Sequence, residues 1–319
     1  VRNLGRSRRR LGASVVGSAL VVLLVLVAGA FAGGMERSLT VTGRAGNVIL
    51  LSTGSEESIE RSQIDANVPG IVTASIPGLR QQGGVPYVSP QVHMMMAVKL
   101  SRDDPQDRLA VLRGVTPTAF LVHPQVQVVN GRAPRAGTYE LMVGDLAATR
   151  LGVSAADLAV GRSLWFDNHA WTITGQFRAP GTVMAAEVWI PLSDLQIATK
   201  RDSLSCVIVT LDRADFGDVD AFCKQRLDLE LAAVPEERYY AQLLDFFGPI
   251  RAMVWATAVL IALGGLFGGL NTMYAAFASR VRELATLQTL GYARTAIVVS
   301  LVQESVLATA GGALVAAAA

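Results

Sequence analysis

The sequence predicts α-helical membrane spans joined to an α+β extracytoplasmic domain. Two uncharged runs carry this reading, Leu11–Met35 with 25 residues and Ala252–Ser279 with 28, together with the 216-residue hydrophilic block, 33–248, that separates them. A run of 25 residues at about 1.5 Å rise exceeds the roughly 30 Å hydrocarbon core. A chain that is 51% hydrophobic and 17% charged, with mean hydropathy +0.39, is too apolar for an ordinary soluble protein, yet the block holds 24 of the 26 acidic residues.

From the amino terminus, residues 1–10 contain Arg2, Arg6, Arg8, Arg9 and Arg10, and the uncharged run at 11–35 follows at once. Basic residues stay on the cytoplasmic side, so the amino terminus reads as cytoplasmic and 11–35 as the first span. The competing reading is a cleaved signal, with Ser7–Leu11 loosely like a twin-arginine motif and Ala28-Gly29-Ala30 as a small-residue cleavage site. The run is longer than the roughly 7 to 15 apolar residues usual in such signals.

With the first span assigned, 36–248 lies outside. Net charge agrees, at −5 over 33–248 and +7 over the rest of the chain. No nucleic acid partner is expected, because the basic excess sits beside the apolar runs and therefore beside the lipid bilayer. The block is long enough for two subdomains with cores of their own. Asn47–Ser52 reads as a strand, as do Ile71–Ile76 and Val92–Leu100, each bounded by Pro, Gly or polar turns. Ser163–Phe166, Trp171–Gln176 and Val188–Pro191 read likewise, with an Ala-rich helix near Leu146–Leu151, giving a mostly β module. From Cys206 the CVIVTL run predicts a buried strand, and Asp218–Leu231 recurs at helical spacing, a βα unit that closes the domain before Phe246.

The second span, 249–279, returns the chain to the cytoplasm. It contains Gly264, Gly265, Gly268 and Gly269, two overlapping G-x-x-x-G pairs that suit close helix packing. Between 280 and 294 the apolar Val281, Leu284, Leu287 and Leu290 recur every third position, and Arg282, Glu283 and Gln288 lie elsewhere, as in a short amphipathic helix with one face to dock. Gly291 supplies a helix break and Arg294 marks the membrane surface. A third span follows at 295–319, in which Glu304 is the one ionisable group. Like Asn271 it is an intramembrane polar residue expected to face protein or water and not lipid.

No G-x-x-x-x-G-K-[ST] loop occurs, so ATP hydrolysis by P-loop chemistry is not expected of this chain. His93, His123 and His169 are dispersed, no H-E-x-x-H, G-x-S-x-G or C-x-x-C is present, and the reading assigns no catalytic residue, no metal and no cofactor. The Met94-Met95-Met96 run after His93 reads as core filling. Cys206 and Cys223 read as a buried thiol and a candidate bonding partner.

At Asn271-Thr272-Met273, and then at Arg280, Arg282, Glu283, Leu284, Leu287, Leu290 and Gly291, the chain resembles the permease subunits of ABC transporters of the FtsX-like and MacB-like family. The segments RGVTPTAF, NGRAPR, ELMVGDLAATRLGV, WTITGQF and AEVWIPL follow that family's exterior domain in order, so the resemblance covers nearly the whole chain. It implies an exterior domain with an α/β subdomain at the ends and a β-rich insert at about 113–200. The elbow at 280–294 becomes a coupling helix docking into a separate ABC ATPase, which binds the ATP. The implied protein is a multi-pass subunit of the bacterial cytoplasmic (inner) membrane that homo- or heterodimerises and couples ATP hydrolysis to rearrangement of the exterior domain. Efflux, lipoprotein extraction and mechanotransmission are its known uses, with a periplasmic adaptor or a hydrolase as further partner. A membrane-anchored regulator of a cell-wall hydrolase is the alternative. The family has four spans, so truncation before the fourth is expected.

The topology is testable by single-cysteine labelling with Cys206 and Cys223 replaced. Residues Ser55 and Asn130 are expected to label from outside intact inner membranes and Gln288 only after the membrane is opened; outside labelling at Gln288 contradicts the topology.

Overall fold

Aliphatic and β-branched runs between Asn47 and Pro235 pair into one ten-stranded mixed sheet. The computed structural model describes residues 8–278 and 281–318. Its strands are β1 (Asn47–Ser52), the two-residue pair β2 (Gln81–Gln82) and β3 (Val85–Pro86), β4 (Val88–Val98), β5 (Arg108–Val115), β6 (Gln127–Gly131), β7 (Glu140–Gly144), β8 (Ser163–Phe166), β9 (His169–Arg178), β10 (Val188–Pro191), β11 (Cys206–Thr210) and β12 (Leu231–Pro235). The large sheet runs β12-β1-β11-β4-β5-β10-β7-β9-β6, with β8 on β9 and with β2 and β3 forming a separate hairpin. The pairs β5–β10 and β7–β9 are parallel; the other pairs of the sheet are antiparallel.

The patterns explain the positions. Strand β1, NVILLS, is flanked on both sides and is buried along nearly its whole length, which is why it reads as a continuous apolar run. Strand β9 instead alternates, turning Trp171, Ile173 and Phe177 inward and exposing polar residues between them.

Short helices cover the sheet: α2 (Val68–Ser75), α3 (Ala119–Val122), α4 (Ala147–Leu151), α5 (Leu192–Thr199), α6 (Phe216–Gln225) and α7 (Glu236–Phe246). The predicted strand at Ile71–Ile76 is in fact α2. Pro69 at the first turn presets its backbone, and Val68 and Val72 supply one buried helical face. The helix predicted over Asp218–Leu231 starts earlier, behind a capping box of Asp215 and Asp218, and ends at Gln225. The chain then makes β12 and α7, so the domain closes on an edge strand and a helix that the βα reading did not contain.

The residues of both expected subdomains contribute strands to one sheet, which carries two apolar clusters. The main apolar cluster runs from Val48 and Leu50 through Leu112, Leu141 and Trp171 to Val209 and Leu231. A smaller cluster surrounds Trp189, with Phe177, Met142 and Met184. The cause is register: β4 pairs with β5 over Gln91–Val98 and Arg108–Val115, and β10 adds alongside β5, so no free edge is left near residue 113.

The chain divides into two compact units, Glu36–Phe246 and the pair of segments Val1–Met35 and Phe247–Ala319. The second unit contains the first part of α1 (Arg8–Thr42), α8 (Gly248–Ala278), α9 (Val281–Thr289) and α10 (Arg294–Ala318). Among the described residues, Val15–Leu39 and Gly248–Ala275 are long and apolar enough to cross a membrane, with mean hydropathies of 2.7 and 1.9.

Glycine is required where backbones touch. A Cβ at Gly144 would lie 2.1 Å from the Ala185 carbonyl oxygen, whereas one at Gly70, in the first turn of α2, meets nothing within 4 Å. Gly144→Ala is expected to destabilise the protein by about 1–3 kcal/mol, because the β7 backbone must move. Gly70→Ala is expected to stabilise it by about 0.5 kcal/mol through helix propensity. Denaturant titration of the two variants in detergent checks both signs.

Candidate functional site

Two places bear on function: the helical elbow, and the polar seam inside the sheet domain where its two chain ends meet.

The elbow forms as the amphipathic spacing requires. Helix α9 covers Val281–Thr289, the Leu290 amide donates to the Thr286 carbonyl at 3.1 Å, and Gly291 turns the chain at φ +88°, a conformation glycine adopts without a Cβ penalty. Helix α10 then begins at Arg294. Within this unit Val281 is 50% and Leu290 71% exposed, and Arg282 and Gly291 are exposed too. Arg280 lies outside the described residues, as do the side chains of Glu283, Leu284, Leu287 and Glu304, whose backbones lie in α9 and α10. An apolar ridge at three-residue spacing with exposed members can seat in a groove of another protein or rest on a lipid surface.

Of the four span glycines, Gly265 meets a neighbour: a Cβ there would come 2.8 Å from Val21 Cγ2 in α1. A Cβ at Gly264, Gly268 or Gly269 would have open space to 4 Å. A second close approach, at a glycine that the G-x-x-x-G pattern did not include, is Gly312 in α10, whose Cβ would lie 2.6 Å from the Val15 carbonyl oxygen. Small residues thus let α8 and α10 come close to α1. Asn271 is exposed in α8.

In the sheet domain, residues 43–47 and 235–240 lie side by side. Gly43 packs on Glu237, where a Cβ would come 2.6 Å from the Glu237 Cα. Asn47 Nδ2 donates to the Val122 carbonyl at 3.0 Å and to Glu236 Oε2 at 2.8 Å, while its Oδ1 accepts from Thr210 Oγ1 at 2.7 Å. The Arg44 amide donates to Glu236 Oε2 at 3.1 Å, and its guanidinium donates to the Val122 carbonyl. Tyr239 Oη accepts from the Ile59 amide at 3.0 Å.

Deeper in, Arg113 on β5 is 1% exposed and forks onto Glu187, Nε to Oε2 at 2.6 Å and Nη2 to Oε1 at 2.7 Å. Its Nη1 donates to Gln91 Oε1 at 2.8 Å, and Trp189 Nε1 donates to Glu187 Oε2 at 2.8 Å. Burial works against the charged guanidinium, but the Glu187 carboxylate overrides it and raises the Arg113 pKa. His93 shares Gln91 Oε1 at 3.0 Å and is neutral, since burial and then Arg113 hold its pKa well below 6.5. A cavity of about 180 Å³ opens beside this network, lined among others by Ile59, Arg113, Glu187, Tyr239 and Tyr240, and is large enough for several waters.

Sequence reasoning passed over Arg113, Glu187 and Glu236 and assigned His123 no role, because buried charges leave no periodic signature. A usable signal existed for Glu236: Pro235 followed by two acidic residues is a helix start. Among the described residues no cluster of three or more His, Cys, Asp or Glu is placed to hold a metal ion. Cys206 and Cys223 are separate buried thiols, with pKa values pushed up to about 12 by burial.

The model of the MacB-like periplasmic core domain family matches residues 11–221. No curated protein matches the chain. Among solved structures, the periplasmic region of MacB from Actinobacillus actinomycetemcomitans is similar at TM-score 0.46 and 10% identity, over 66% of this chain and 97% of that one. The extracellular domain of the noncanonic ABC-type transporter YknZ from Gram-positive bacteria is similar at TM-score 0.44 and 14% identity, over 59% and 97%.

The Arg113–Glu187 fork supplies a stability test. Glu187→Gln leaves a buried guanidinium without its counter-charge and is expected to destabilise the protein by about 3–5 kcal/mol. Arg113→Met together with Glu187→Leu is expected to recover most of that loss in the same denaturant titration, because no buried charge is then left unpaired.

Proposed function

From the premise that the chain belongs to the MacB-like periplasmic core domain family, which the match over residues 11–221 establishes, we propose the following mechanism for it as an ABC transporter permease subunit. The chain is non-catalytic, crosses the bacterial cytoplasmic membrane several times and dimerises. Through its elbow it binds a separate ATPase, whose cycle of ATP binding and hydrolysis rearranges the extracytoplasmic domain. The observation that supports this most is the matched span itself: one family model takes in both the first apolar helix and most of the ten-stranded sheet domain.

The chain's own residues divide the work. Val281–Thr289 with Leu290 offer the ATPase an apolar ridge, and Gly291 and Arg294 return the chain to the membrane. Glycines 265 and 312 set α8 and α10 against α1, so a push on the elbow reaches several helices at once. An ATPase drives the change only as far as its affinity differs between two permease conformations. Through the chain itself, 36–47 and 235–246 carry the movement into the sheet. Glu304 and Asn271 are intramembrane polar residues that face protein or water and not lipid in this reading.

Leu284→Asp or Leu287→Asp is expected to abolish co-purification with a separate ABC ATPase subunit, since a charge placed in an apolar groove costs several kcal/mol. A helix that only rests on lipid behaves differently: replacing Arg280 and Arg282 by Gln would then weaken membrane contact while leaving any partner unaffected. The comparison is made by pull-down and by ATPase rate in nanodiscs. Full binding and coupling by inserted Leu→Asp proteins would remove the elbow from the mechanism.

A further inference from the structure

One pair of buried titratable groups at the meeting of the two chain ends carries a feature that the transport reading does not use. His123, just past α3, and Glu236, the first residue of α7, are both 0% exposed, and His123 Nδ1 lies 3.7 Å from Glu236 Oε1. Neither ring nitrogen has a hydrogen-bond partner, nor has Glu236 Oε1, although Oε2 accepts from the Arg44 amide and from Asn47. Three buried polar atoms without partners gathered in one place are costly unless something joins them. A proton can join two of them: if the ring and the carboxyl close from 3.7 Å by about 0.5–1 Å to hydrogen-bond distance, the carboxylic acid O–H donates to Nδ1 of the imidazole.

We propose that His123 and Glu236 form a single proton-binding site that fastens the two ends of the sheet domain, and that emptying or overfilling this site loosens them.

The surroundings favour the neutral pair. His123 faces the positive charges of Arg113 on β5 and Arg44 after α1, and both oppose an imidazolium, in addition to burial, which is the larger effect. Glu236 is pushed up to about 7 by burial, against the pull of Asn47, Arg44 and Arg113. The other titratable groups facing the pair are Cys206 on β11, Tyr240 on α7 and His93 on β4, and burial keeps all three uncharged near neutrality.

In the unfolded chain the proton belongs to His123, with the ordinary value of 6.5, and not to Glu236, at 4.5. In the folded chain the order is reversed. Between those two values each state holds one proton, so the pair contributes no slope to stability. As pH rises through about 7, the folded site gives up a proton that the unfolded chain has already released, and stability falls. Below 4.5 the unfolded chain gains a second proton that buried His123 resists, and stability falls again.

The test uses the full chain in nanodiscs and involves no ATPase, so its outcome is independent of the transport reading. Infrared difference spectra across pH are expected to show a protonated carboxyl band that titrates near neutral pH and is missing in Glu236→Gln. Hydrogen exchange of residues 43–47 and 231–240, corrected for its intrinsic pH dependence, is expected to quicken about two- to threefold between about pH 6 and 8 in the parent, and to stay slow in Glu236→Gln. His123→Gln retains a neutral partner and is expected to shift the band. A carboxylate still ionised at about pH 5.5 in the parent overturns the proposal, and so does a Glu236→Gln protein that loosens as the parent does or a band that His123→Gln leaves in place. The parent's infrared titration decides the matter even where a variant fails to fold.

Discussion

The side-chain amide of Asn47 is the joint on which the sheet domain closes. Its two donors and its acceptor are all used, on the Val122 carbonyl, on Glu236 and on Thr210, so one residue of β1 ties together the end of α3, the start of α7 and the end of β11. Leaving such buried partners unsatisfied costs about 1–3 kcal/mol each. The chain enters the domain just before this residue and prepares to leave it just after Glu236. Force applied along either end therefore meets the same small set of hydrogen bonds. The missing side chain at Gly43, which lets Glu237 come into backbone contact, brings the two ends close enough for that set to exist.

Behind the joint the sheet is stiffened by a charge that is fully matched. Arg113 and Glu187 sit on neighbouring parallel segments, β5 and the residue before β10, and their fork locks that crossover while Trp189 caps the carboxylate from the side. A rigid plate with a polar joint at its two chain ends suits a domain that moves as one body. The permease reading asks for that property: a conformational change begun at one end of the molecule is useful only if the exterior domain does not absorb it.

The long apolar helices, the elbow and about half of the strands were legible in the sequence because hydrophobic periodicity is a local signal. The uncharged runs, the elbow with its glycine break, and the strands at Ser163–Phe166, Val188–Pro191 and Cys206–Thr210 all stand where composition and spacing put them. Ile71–Ile76 forms a helix where a strand is predicted because a short apolar run reads equally as either, and Pro69 before it starts the helix. The single sheet was not legible, because pairing β5 with both β4 and β10 joins residues far apart in the chain. The polar seam was hidden for the same reason. Arg113 and Glu187 are 74 positions apart, Asn47 and Glu236 are 189 apart, and no spacing rule reaches so far.

The account's central claim is that movement made in the membrane enters the sheet domain through residues 43–47 and 235–240. It is tested most directly by hydrogen exchange on the full chain assembled with its ATPase in nanodiscs, comparing the nucleotide-free complex with one trapped with ATP. The account predicts that exchange changes in these two segments and in the elbow, while the paired centre of β4 and β5 stays as it was. Identical exchange in both segments in the two states, in a complex whose elbow does respond to ATP, would contradict it.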